Sequence, residues 1–378
     1  MKMFYQGYNF MNRTLSNRVL FVSTSIVRFS SIIAQSVLPL YAYSLNITPF
    51  YISIIIAILW VFNGIGSLLI NVSKKVNNFI VMSFLITLMG FILIIFSKNF
   101  FYLIISVSLV GLGLGSISIL LAPSMHIDNK GFEGIGLYSF ALSLGLILGT
   151  LFSSIILSYL SFFYIFIFTA ILLIIPISLA LKYKFNRHDF KLILKFNIIF
   201  SIMRNKKFSK YFILNFIYSF TLPLIISYWG IYEENSVKLK SNIVMLSLFL
   251  LFLTSSIIRF KSIKSSEKNL VRQETVAILV LPISFILLNI HNIYINILAL
   301  LLFAIPHSIL YPTFLYNAYK SLNKNNIIAG NLLFSASSGI AEFLSPIFAL
   351  GIINMFTIKS LFLFALPISF LMLIFYFK

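Results

Sequence analysis

VLFVSTSIVRFSSIIAQSVLPLYAYSL, spanning Val19–Leu45, is a long apolar run broken by a single charge, Arg28. A helix rises about 1.5 Å per residue, so this run is long enough to cross a hydrocarbon core of about 30 Å. Arg28 lies ten residues past Arg18, about 15 Å into the membrane and near its midplane. A charge at that depth costs about 3 kcal/mol on insertion scales, so such residues face polar cavities and carry function.

Working outward, the same kind of run recurs eleven times. Spans are expected near Tyr51–Ile70, Phe79–Phe96, Phe101–Ala122, Ile135–Leu157, Phe162–Leu181, Tyr211–Tyr232, Ile243–Ile258, Val276–Ile290, Tyr294–Leu315, Ile328–Ile353 and Leu361–Tyr376. The chain is 60% hydrophobic and only 10% charged, too little charge to cover a soluble protein of 378 residues. The expected fold is therefore all-α and polytopic, with twelve transmembrane helices. Met1–Asn17 has no apolar core with a cleavage site, so the first span is expected to be retained. Without cysteine the chain has no disulfides or thiolate metal sites.

Charge placement orients these spans. With the N-terminus inside, 23 of the 28 Lys and Arg fall on the inner side, four (Lys98, Lys238, Lys240 and Lys359) on the outer, and Arg28 within the membrane. The positive-inside rule then places both termini in the cytoplasm of a cell-membrane protein. Arg259, one residue beyond the eighth span, is counted among the inner loop charges.

The two halves echo each other. Leu38-Pro39-Leu40 returns as Leu222-Pro223-Leu224, Pro123 as Pro312, and Ser143-Leu144-Gly145 as Ser337-Ser338-Gly339. Their offsets of 184, 189 and 194 mark a duplicated six-helix unit with small insertions, an arrangement that places a solute site between halves at mid-membrane. The expected domains are an N-terminal bundle over 1–182, a basic cytoplasmic linker over 183–210 and a C-terminal bundle over 211–378. The linker's Lys and Arg, spread among Phe and Ile, fit an inner-leaflet helix against anionic lipid better than a nucleic-acid surface.

Twelve spans, a six-plus-six repeat, inside termini and a basic central loop together resemble the major facilitator superfamily over essentially the whole chain. Gly111-Leu112-Gly113-Leu114-Gly115 looks like the family's glycine-rich fourth span, without the Arg of proton-driven drug exporters. Gly145-Leu146-Ile147-Leu148-Gly149-Thr150 is similar to the exporters' fifth-span motif, without its Pro. Ile70–Asn78 stands where the family carries an acidic-basic turn, and Lys74 occupies the acidic position. The resemblance implies two rocking bundles, a monomer and transport, and it implies that the second helix packs against the eleventh.

Polar residues then mark the candidate site. Thr24, Arg28, Ser31 and Gln35 follow i, i+4, i+7, i+11 spacing and share one face of the first span. A guanidinium there can hold a carboxylate or phosphate bidentately, or serve a structural ion pair. Asn331, Ser335, Ser338, Glu342 and Ser345 make a second stripe on the eleventh span. Glu342 at membrane depth is a candidate coupling group for a proton, or a fixed partner for Arg28. His307, between Pro306 and Pro312, is a candidate for substrate contact and proton relay, with Tyr311 one turn on. Asn63 and Ser67 are assigned to the interface between halves with Ser338, and Asn215 to substrate or to helix-to-helix bonding. His126, His188, His291 and His307 are scattered, so no metal site is expected.

Transport of a small organic solute by alternating access is the leading function, proton-coupled and tilted by Arg28 towards an anion. An exporter of hydrophobic or cationic compounds is the alternative. No Gly-x-x-x-x-Gly-Lys-Ser/Thr loop is present, which excludes direct ATP drive by this chain. A membrane-embedded lipid-modifying enzyme would need clustered acids, and the eight acids are dispersed. A non-transporting scaffold is the third class, and no cofactor is called for.

Overall fold

A backbone crossing hydrocarbon must satisfy every N–H and C=O within itself, and a chain without closed strands does so only as helix. The structure, a computed structural model, describes residues 18–69, 76–128, 132–182, 196–263, 267–323 and 326–377. Among the described residues it holds twelve helices long and apolar enough to cross a membrane. They are α1 (Arg18–Ser44), α2 (Pro49–Leu69), α3 (Val76–Phe96), α4 (Phe100–Asp128), α5 (Phe132–Tyr159) and α6 (Phe162–Lys182) in the first half. A short amphipathic helix, α7 (Phe196–Arg204), follows. The second half holds α8 (Lys206–Ser236), α9 (Ser241–Ile263), α10 (Glu267–Leu288), α11 (Ile293–Lys320), α12 (Ile327–Met355) and α13 (Leu361–Phe377).

Each expected span falls on one of these helices, several of which run past the expected ends, the ninth from Glu267 rather than Val276, and two of these extensions bear on the site. The seventh begins at Lys206, inside the stretch read as linker, because the Asn205 side chain caps it by accepting from Lys207 N and Phe208 N. The eighth runs on to Ile263 and carries Arg259 inside it. The turn after the second span, 70–75, and residues 183–195 of the basic linker lie outside the described residues.

In the first bundle α4 packs on α2 and α3, and α3 on α6; in the second, α8 packs on α12, α11 and α13, and α10 on α11. The bundles meet along α5–α9, α2–α12 and α1–α8. The expected approach of the second and eleventh spans is thus present. Glycine sets the closeness of α2 and α4. A Cβ at Gly115 would strike the backbone of Asn63, and one at Gly66 the backbone of Leu112. Ser116 Oγ uses that closeness to donate to Gly66 O at 2.9 Å.

Prolines loosen the helices where polar groups gather. Pro39 has no N–H for the Gln35 carbonyl, and the preceding turn, Ile33–Val37, widens into a π-helix. Pro223 lies within α8, and Pro306 and Pro312 within α11.

Spans alternate in direction, so both termini and α7 share one side. On the opposite side the bundles are sealed. Leu40 fills the space over Gly230, Asn235 Nδ2 donates to Tyr43 Oη at 3.3 Å, and Ser154 Oγ donates to Asn242 O at 2.9 Å.

Candidate functional site

Beneath that seal lies a cavity of about 760 Å³ between the bundles, reaching towards the side of the termini as far as Ile199 on α7. Its floor is α1. Thr24, Arg28, Ser31 and Gln35 all line it, as their spacing predicts. Thr24 Oγ1 donates back to Leu20 O at 2.7 Å, which leaves its lone pairs for the cavity. Gln35 Nε2 donates to Ser31 Oγ at 2.7 Å, and Arg28 Nη1 reaches the same hydroxyl at 3.4 Å.

Arg28 can lie here because α5 carries Gly145 against it: a Cβ at that position would stand 2.8 Å from the Arg28 Cβ. Its Nε is buried with no protein partner among the described residues. A guanidinium with one long hydrogen bond and an orphaned donor is under-satisfied for its depth.

Glu342 faces it from α12, and the two charges interact electrostatically across the cavity. Ser335 and Ser338 of the same stripe line the cavity, as do Asn63 and Ser67 from α2. Asn331 lines it while accepting from the Tyr319 hydroxyl. Ser345 is buried away from it.

His307 and Tyr311 complete the second bundle's wall. Pro306 and Pro312 hold that stretch of α11 in a broken ladder. His307 Nδ1 shares a 2.7 Å hydrogen bond with Tyr218 Oη, its ring stacks on Phe303, and its Nε2 has no protein partner among the described residues.

Asn215 does not join the cavity lining. Its Nδ2 clasps α12, donating to Ser338 Oγ at 2.7 Å, Phe334 O at 3.1 Å and Ser337 Oγ at 3.2 Å. The substrate role assigned to it from the sequence gives way to helix-to-helix bonding, because all of its donor capacity is spent inside the second bundle.

Several groups escaped the sequence. Trp60, Tyr138 and Tyr218 line the cavity, and nothing in an aromatic-rich span singles them out. Arg259 also lines it, with only 7% of its surface exposed. Reading it as a loop charge was an error caused by ending the eighth span at the first cation. Glu233 and Glu274 are buried in the second bundle outside the cavity, bonded to Asn296 Nδ2 at 2.8 Å and Asn317 Nδ2 at 3.1 Å. Among the described residues no three His, Asp or Glu gather in a way that could hold a metal.

The family model described as Major Facilitator Superfamily matches residues 20–330. No curated protein matches the chain in sequence. Solved structures do match in fold. A POT family transporter in complex with a thioalcohol-conjugated peptide has a TM-score of 0.74 at 15% identity, over 95% of this chain and 96% of that one. A mutant of the nucleoside transporter NupG has 0.73 at 11%, over 96% and 99%. The human organic anion transporter MFSD10 (TETRAN) has 0.67 at 13%, over 97% and 99%.

Proposed function

The chain belongs to the Major Facilitator Superfamily, and we propose that, as a solute transporter of that family, it moves a small organic anion together with a proton by alternating access. The observation that carries the anion is the Arg28 guanidinium, which lines the cavity with a single long protein hydrogen bond among the described residues, Nη1 to Ser31 Oγ at 3.4 Å. A carboxylate or phosphate would fill that deficit with two parallel, charge-assisted bonds.

Glu342 supplies the coupling. An ionised Glu342 competes with a substrate anion for the field of Arg28, and protonation removes the competitor. Anion and proton therefore enter together, and a monoanion with one proton crosses without net charge. Rocking of the two bundles then carries both across. The sealed far side and the cavity reaching towards α7 fit one station of that cycle.

A second reading keeps the aromatic wall in view. Trp60, Tyr138, Tyr218 and Tyr311 with Glu342 would suit export of a hydrophobic cation. Neither reading involves catalysis.

We assign the bundles to 1–182 and 206–378, since α8 begins at Lys206, and the cytoplasmic linker to the stretch between them, with both termini in the cytoplasm of a cell membrane and the protein a monomer. Helix α7 packs Ile198, Ile202 and Met203 against the protein and turns Phe200 outward, with Arg204 over the Phe200 ring at 4.4 Å, which suits the inner-leaflet surface.

Thermal stability of the purified protein against organic anions, neutral sugars and cationic compounds tests the reading, beside Arg28→Gln. A ligand at a hundredfold excess over its Kd adds about 2.7 kcal/mol. Stabilisation by anions that is lost in Arg28→Gln is expected. Stabilisation by cations that survives in Arg28→Gln overturns it in favour of the second reading.

A further inference from the structure

Arg28 shares the cavity with a second cation. Arg259 lines it from α9, in the opposite bundle, and the two guanidiniums act on each other and on His307 electrostatically. Among the described residues, Glu342 is the single carboxylate in the lining and no Lys joins it.

The two cations are held differently. Arg259 is fixed between the bundles: Nε donates to Ser308 O at 3.3 Å and Nη2 to His307 O at 2.9 Å, both on α11. Its Nη1 donates to Ser143 Oγ at 2.6 Å and Ser139 O at 3.2 Å, both on α5. The α11 contact has a cause in the sequence. The Ser308 carbonyl would accept from the N–H four positions on, and that residue is Pro312, which has none. A guanidinium carries five N–H donors, so these four bonds leave one, on Nη2, uncommitted. Arg28 is looser, with Ser31 Oγ as its one acceptor among the described residues.

Hydrogen bonds to neutral oxygens satisfy donors and leave the charge in place. The acceptors of Arg259 are carbonyls and a hydroxyl, and that of Arg28 is a hydroxyl. With Glu342 ionised, the empty lining therefore carries two positive charges and one negative. In the coupled state proposed above, Glu342 is protonated and both positive charges remain. A monoanion answers one of them and leaves the other uncompensated at membrane depth, which is costly. A solute with two negative charges answers both, and the loaded cavity is neutral.

We propose that the solute is a dianion, an organic dicarboxylate or phosphomonoester, held between Arg28 of one bundle and Arg259 of the other. Arg259 is the fixed pole, and Arg28 is the pole for which Glu342 competes. With one proton, a dianion crosses carrying one net negative charge, where a monoanion would carry none. The inference rests on the anion reading above and adds the number of charges.

The test is ligand-induced thermal stabilisation of the full-length protein by matched probes that differ by one charge. Succinate is set against its monoamide, succinamate, and glycerol phosphate against its methyl diester. A phosphomonoester is doubly ionised at about pH 7.5, where the titrations are made. In the parent, at least one dianion should bind about tenfold or more tighter than its matched monoanion, as for a second charge-assisted contact. Which pair shows the ratio separates dicarboxylate from phosphomonoester. Arg259→Gln should bring the ratio to about one by weakening the dianion, with the monoanion bound as in the parent. Arg259→Lys, which keeps the charge and gives up the fork, should retain most of the ratio.

Equal affinity for dianion and monoanion in the parent overturns the dianion and leaves the anion reading standing. A ratio unmoved in Arg259→Gln, or lost in Arg259→Lys, does the same, including where only the unfolding temperature falls. The parent's ratio and Arg259→Lys decide the matter if Arg259→Gln does not fold. Absence of stabilisation by probes of either charge, or anion binding undiminished in Arg28→Gln, overturns the anion reading and this inference with it.

Discussion

Arg28 on α1 and Glu342 on α12 enter one cavity from opposite bundles and interact electrostatically, yet no hydrogen bond joins them among the described residues. An Arg–Glu pair locked together would be structural and hard to reopen at membrane depth. Two opposite charges held apart in a shared cavity leave room for a third, mobile charge. That separation is what a coupled carrier requires.

If substrate anion and proton bind together, affinity must depend on pH with a fixed sign. Binding that takes up one proton strengthens as pH falls, by up to about tenfold in Kd per pH unit. Ligand titrations of the stabilising anion between about pH 5 and 8 should show Kd rising with pH, and Glu342→Gln should flatten the slope. A pH-independent Kd in the parent contradicts coupling through Glu342.

Asn215 should behave as a clasp. Asn215→Ala removes a fully buried amide that makes three contacts to α12, and should cost about 1–3 kcal/mol. The unfolding midpoint should fall while the rank order of stabilising ligands stays as in the parent. A changed rank order would return Asn215 to the substrate site.

Gly115 and Gly64 make a matched pair. A methyl at Gly115 would collide with the backbone of Asn63, whereas nothing lies within 4 Å of a Cβ at Gly64. Gly115→Ala should therefore destabilise by about 1–3 kcal/mol as α2 and α4 are forced apart. Gly64→Ala should be neutral or gain about 0.5–1 kcal/mol from helix propensity. Equal midpoints for the two variants would contradict the close packing of α2 on α4.

Much of this was legible in the chain. Spans can be read because hydrocarbon accepts only long apolar helices, and the α1 stripe because a helix has a fixed period. Those two facts bring Thr24, Arg28, Ser31 and Gln35 together from sequence alone. Glu342, His307 and Tyr311 follow from being polar where polarity is costly. Arg259 is lost because a cation at the edge of an apolar run reads equally as loop or as last turn. Only the fold shows that Pro312, on another helix, leaves a carbonyl for it. Asn215 is misplaced for a related reason: period gives the face of a helix but not which neighbour that face meets.

The most direct measurement is uptake of the stabilising anion into proteoliposomes under an imposed pH gradient, in the parent and in Glu342→Gln. Accumulation above equilibrium is expected in the parent. In the variant, anion exchange at a comparable rate with no accumulation is expected. Equal gradient-driven accumulation in both proteins would contradict the assignment of proton coupling to Glu342.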